Sequence, residues 1–146
     1  MVFASCSSGS PNSTPTPIPG VQDEQALAKY LTDTFTVYAN LETLVNDMGA
    51  KLREVSGDQD AELKTMGEFT DAFKAELVKE RARLAAVTTP EEAKEHYASL
   101  QKLDKSYQTF VDTLSNGISS KDSAQIAAAF TTNYPNQEDV SLVGEL

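Results

Sequence analysis

The chain has 146 residues, of which 40% are hydrophobic and 23% charged, enough for one domain with a core of its own. Its formal net charge is -10 and all 22 acidic residues follow Gly20, so the folded part repels nucleic acid and anionic lipid headgroups. No run of about 18 apolar residues occurs, which excludes a transmembrane helix in the sequence as given.

Residues 1–20 are a different material from the rest. Between Ser7 and Gly20 every residue is Ser, Thr, Pro or Gly except Asn12 and Ile18, and four of the six prolines stand at 11, 15, 17 and 19. Such a segment has too little apolar surface to offset its ordering entropy and is expected to be a disordered tether. At about 3.1 Å per residue in polyproline II it reaches at most roughly 40 Å. Ahead of it, Phe3-Ala4-Ser5-Cys6 resembles the lipobox of bacterial lipoproteins, with Phe3 standing where the pattern usually has Leu.

In that family two small residues precede a cysteine that is diacylated and becomes the mature N-terminus. The resemblance therefore implies a lipid on Cys6, a membrane as partner through that anchor, and an extracytoplasmic address. The basic and most of the apolar part of a signal peptide are not among residues 1–5, as expected if Met1 is not the native start. A single Cys allows no internal disulfide. Asn12-Ser13-Thr14 is a formal glycosylation sequon that a bacterial lipoprotein leaves unused.

From Asp23 to Val55, Leu27, Leu31, Thr34, Tyr38, Leu41, Val45, Met48, Leu52 and Val55 recur by fours and threes, predicting one long first helix. Ser56-Gly57-Asp58 breaks the pattern, with Asp58 as cap of the second helix. That helix spans Gln59 to Val87, with Leu63, Met66, Phe69, Phe73, Leu77 and Leu84 inward and Thr70 and Glu80 on the same stripe. Gly49 and Gly67 fall near each other in this register, as a close helix approach, a local kink or two tolerated surface glycines. Asp58-Gln59-Asp60-Ala61-Glu62 lacks the central Gly and final Glu of a calcium loop, and reads instead as an acid-rich helix start.

Thr89-Pro90-Glu91-Glu92 has the makings of a capping box and opens the third helix. Its stripe runs through Ala93, His96, Leu100, Leu103, Tyr107, Phe110 and Leu114 to Ile118, and Gly117 with Ser119-Ser120 is expected to end it. A short fourth helix, Lys121 to Asn133, carries Ile126 and Phe130 and stops before Pro135. Residues 136–146 form an acidic tail.

Loops of a few residues make consecutive helices antiparallel neighbours. The expectation is an all-α, up-down antiparallel bundle of three long helices and one short one over residues 21–135. Folding the second helix on the first places Leu41 by Phe73 and Thr34 by Glu80; folding the third on the second places Glu80 by His96 and Thr70 by Tyr107. The fourth brings Ile126 to Leu114 and Phe130 to Phe110. Thr34, Glu80 and His96 thus meet in one inward polar layer, with Tyr30, Tyr38 and Tyr97 close by. They form either a ligand layer or a satisfied network that fixes helix register, and the network reading is favoured.

Glu92 and His96 are four apart, so the Glu-x-x-His pair of di-iron bundles is missing, and neither a metal nor a cofactor is expected. No base accompanies the serines at 5–10. The fourth helix is too short to cover the end at Leu31, Leu84 and Leu100. The tail, a second copy or a ligand must close it, and the tail is the expected cover.

The Thr/Pro-Pro-Glu-Glu helix start and aromatic stripe are similar to those of small helical ectodomains on bacterial lipoproteins. This likeness implies a non-catalytic, membrane-tethered envelope module that meets a protein partner or serves structurally. The alternative is a bundle that binds an apolar or amphiphilic small molecule.

Overall fold

The structure is a computed structural model that describes residues 21–135. Cys6, the sequon, the tether and the tail at 136–146 lie outside the described residues. Within them there is no strand, and the helices are α1 (Val21–Thr34), α2 (Ala39–Glu54), α3 (Gln59–Ala85), α4 (Lys94–Ser120) and α5 (Ser123–Ala128). A 3-10 turn at Glu91–Ala93 leads into α4, and α5 runs on into a π turn at Ala129–Asn133. α2 packs on α3, α3 on α4, and α4 on α5 with its π turn, while α1 rests on the 3-10 turn. This is the up-down bundle expected from the sequence.

Leu41, Phe73, Leu77, Leu100, Phe110 and Leu114 make its axis and are all nearly or fully buried. Asp58 caps α3 as read: its carboxylate accepts the Ala61 N–H at 3.1 Å, and Glu62 accepts the Gly57 N–H at 2.9 Å. Gly57 has φ of +96°, a left-handed turn that a side chain would strain. Asp122 caps α5 in the same way, accepting from Ala124 and Gln125 at 2.9 and 3.2 Å.

The long first helix is broken. Phe35 to Tyr38 leave the helical path, and Tyr38 takes φ of 68°, which costs a non-glycine residue about 1–2 kcal/mol. Element lengths explain why. Continued upstream from Tyr38, which sits beside Glu80, a helix would rise about 26 Å to Val21, whereas α3 goes on for only about 8 Å beyond Glu80 before ending at Ala85.

About 18 Å of straight helix would project past the end of α3 with Leu27 and Tyr30 in water. The break instead folds α1 back over the end of the bundle, where Tyr30 is 1% exposed. Leu84 and Leu100, expected to lie in an open groove, are buried there, while Leu31 turns outward at 38% exposure.

Two local features differ from expectation. Thr89 does not cap a helix: Pro90 is extended, the Ala93 N–H goes to the Pro90 carbonyl at 3.1 Å, and the tight turn carries Ala93 into the core before α4 begins. Gly117 does not end α4, which runs on to Ser120 and closes at Lys121 with φ of 54°. A Cβ at Gly117 would lie 2.9 Å from the Ile126 backbone nitrogen, so this glycine admits α5 against α4. Gly49 and Gly67 are not a close approach, since a Cβ at Gly67 meets nothing within 4 Å and one at Gly49 meets only the Arg53 side chain at 3.8 Å.

Candidate functional site: the polar end of the bundle

The three residues of the expected polar layer are buried, Thr34 at 5%, Glu80 at 0% and His96 at 9% exposure. Thr34 donates to the Tyr30 carbonyl within α1 at 2.9 Å. The other two serve separate networks. Glu80 projects from the last two turns of α3 and accepts the Tyr38 N–H at 3.1 Å. In a continuous helix that N–H would bond the Thr34 carbonyl, which here accepts from Val37 at 3.0 Å instead.

The carboxylate therefore fills a hydrogen-bond vacancy opened by the break and sits at the positive end of α2. Arg83, one turn on, donates to both Glu80 oxygens at 2.8 and 3.1 Å and to the Thr36 hydroxyl at 2.9 Å, tying the linker to α3. Asn40 completes the set, donating to Glu76 at 2.9 Å and Glu80 at 3.4 Å. Hydrogen bonds from Lys79 and then Asn40 hold the Glu76 carboxyl below its ordinary pKa.

His96 points the other way, toward α1. Its Nδ1 shares a hydrogen bond with the Tyr30 hydroxyl at 2.7 Å, and the rings meet edge to face at 5.5 Å. Burial, with the neighbouring Tyr97, pushes the Tyr30 phenol up to about 12. Glu80 and His96 are not hydrogen-bonded to each other, and the predicted single layer is two clamps on either side of the break. One holds α2, the other α1.

A second cluster lies between α3 and α4. Arg81 grips Asp104 with its Nε at 3.2 and 3.0 Å and reaches Gln108 at 3.0 Å. Asp104 also accepts the Tyr38 hydroxyl at 3.2 Å; burial first, and then this carboxylate, raises that phenol's pKa strongly. Beside this cluster a cleft of about 280 Å³ is lined by Leu84, Tyr97, Gln101 and Lys105 among others. Sequence reading passed over Arg83, Asn40, Arg81 and Asp104. Arg83 was within reach, since Glu80 and Arg83 at i,i+3 form a standard helix pair. The cross-helix partners became visible only once the register was known.

Among the described residues no buried side-chain nitrogen or oxygen lacks a hydrogen-bond partner. Within the same residues no helix is long and apolar enough to cross a membrane, and no cluster of three metal-binding side chains occurs. No family model, curated protein or solved structure matches this chain.

Proposed function

We propose that the protein is a non-catalytic, lipid-anchored module of the bacterial cell envelope, acting through its bundle as an interaction or structural element. The observation that carries this reading is Phe3-Ala4-Ser5-Cys6 followed directly by the Ser/Thr/Pro-rich residues 7–20. A diacylated cysteine supplies the two acyl chains that stable anchoring requires, where one chain binds only marginally. The tether then lets the bundle stand off the surface by up to roughly 40 Å.

The use of Glu80 supports a structural role for the polar end. Its carboxylate is committed to the α2 terminus, Arg83 and Asn40, where an acid–base group would need a free oxygen facing substrate. The intact mass of the protein, made in a bacterium from its native gene with the upstream sequence, tests the anchor. Cleavage before Cys6 with an added diacylglycerol is expected; an unmodified Cys6 overturns the reading.

The α3–α4 cleft favours a second reading, a bundle that binds an apolar or amphiphilic small molecule. Its 280 Å³ lies near the lower end of ligand-pocket volumes, and Leu84 and Tyr97 give it apolar walls beside the charged Lys105. Dodecanoate at saturating concentration should then raise the melting temperature, and Lys105→Ala should remove that rise. No shift in the unaltered chain eliminates this reading for such amphiphiles.

A further inference from the structure

The first two helices carry a pattern that the observed fold does not use. Leu27, Leu31, Thr34, Tyr38, Leu41, Val45 and Met48 step by fours and threes straight through residues 35–38, as in one continuous helix. In the observed fold that continuity is interrupted, Tyr38 is held in the left-handed region, and Leu31 and Phe35 are left 38% and 87% exposed. Side-chain contacts fasten the broken form. These are Glu80 to the Tyr38 N–H at 3.1 Å, Arg83 to Thr36 at 2.9 Å, and Tyr30 to His96 at 2.7 Å.

Releasing them lets residues 35–38 become helical while the packing of α2 through α5 stays as it is. The straightened helix would project about 18 Å past α3, and its own docking site at Ala93 and His96 would then be empty. The one surface shaped to receive α1 is that same site on another copy. A short, strained hinge next to an element with a complete docking site is the arrangement that favours exchange between copies.

We propose that α1 is an exchangeable arm: α1 and α2 join into one helix, and the arm of each copy docks on the Ala93 and His96 end of a second copy, giving a symmetric dimer. Apart from the two hinge bonds at Tyr38 and Thr36, which the straightened helix gives up, the contacts made are those of the monomer, supplied in trans, so the dimer adds no new surface except along the straightened hinge. There Leu31 and Phe35 of the two copies come to lie where the helices cross.

The test uses the full chain with Cys6→Ser, which removes disulfide dimers, refolded from denaturant at micromolar and at near-millimolar concentration and sized by chromatography with light scattering. Dimer is expected at high concentration and should persist on dilution, because exchange requires undocking. Tyr38→Gly relieves the left-handed residue and weakens a continuous helix, so it should weaken dimerisation by roughly tenfold or more. Thr36→Ala releases Arg83 and favours helix at an exposed position, so it should strengthen dimerisation several-fold.

Spin labels at Lys29→Cys and Ala50→Cys should report about 32 Å in the dimer, the rise of one unbroken helix. The proposal is overturned if the parent chain and Thr36→Ala stay monomeric throughout. It is equally overturned if Tyr38→Gly dimerises as well as the parent, or if the dimer keeps the monomer's label distance.

Discussion

The two ends of this bundle are built on opposite principles. At the α5 end Phe110 is ringed by Phe73, Phe130 and Tyr134 at centroid distances of 5.4, 5.3 and 5.0 Å, with Phe69 and Tyr107 extending the cluster. At the α1 end the contacts are directional: a carboxylate on a helix terminus, a guanidinium on that carboxylate, a phenol on an imidazole. Aromatic packing tolerates small shifts of every partner, whereas a hydrogen bond requires each group at one position. The dry end thus follows the apolar stripe, and the polar end follows the needs of individual donors and acceptors.

The largest test of this contrast is alkaline pH, which attacks both ends. Tyr30 titrates at about 12 instead of 10.0 because it is buried, and burial also raises Tyr38, Tyr107 and Tyr134. A raised folded-state pKa means that the native state binds more protons than the unfolded one above pH 10, so stability falls as pH rises through that window. Circular dichroism should show cooperative loss of helix between about pH 10 and 12. Tyrosinate absorbance near 295 nm should rise together with it, undisturbed because the chain has no Trp. Tyrosine ionisation preceding helix loss would contradict this linkage.

Next in size is the dry end alone. Phe110 is fully buried, and Phe110→Ala should cost about 3–5 kcal/mol in urea unfolding, through lost transfer energy and a cavity. Glu80→Ala breaks the polar end at smaller cost, about 2–3 kcal/mol, because the Tyr38 N–H is left unsatisfied while half-exposed Arg83 turns to water. Glu80→Gln retains an acceptor and should lose less than half as much; equal losses in the two variants would show that the N–H contact is unimportant.

Smallest is Gly117→Ala at the α4–α5 contact. Overpacking against the Ile126 backbone outweighs the better helix propensity of Ala, for a net loss of about 1–2 kcal/mol. A stabilised variant would show that α5 can move aside at no cost.

The same contrast governs what could be read in advance. Stripe positions gave the helices, the antiparallel order and contacts such as Phe130 on Phe110, because each depends only on period and loop length. Burial of Thr34, Glu80 and His96 was legible for the same reason. Tyr30 and Tyr38, expected close to that layer, do supply partners, but which of their atoms bond, and that Tyr38 does so through its backbone N–H, was not legible. The break depends on α1 being longer than the part of α3 available to it, a mismatch between two elements that no local window contains.

A weaker local signal is present: Phe35-Thr36-Val37-Tyr38 is a run of β-branched and aromatic residues, poor helix formers set within an apolar spacing that continues straight through them. At Gly117 a terminator was inferred from composition where the chain needed room for a neighbour.

The break also decides how the molecule responds to force. A load arriving through the N-terminal segment pulls first on α1, which is laid across the end of the bundle instead of running alongside α3. Such a helix peels, so its contacts fail one after another, and the Tyr30–His96 bond is loaded before any ring of the aromatic cluster. α1 can then be drawn out as about 20 Å of helix while α2 through α5 stay packed. Tension at the N-terminus would thus lengthen the link to the bundle before the bundle itself bears the load.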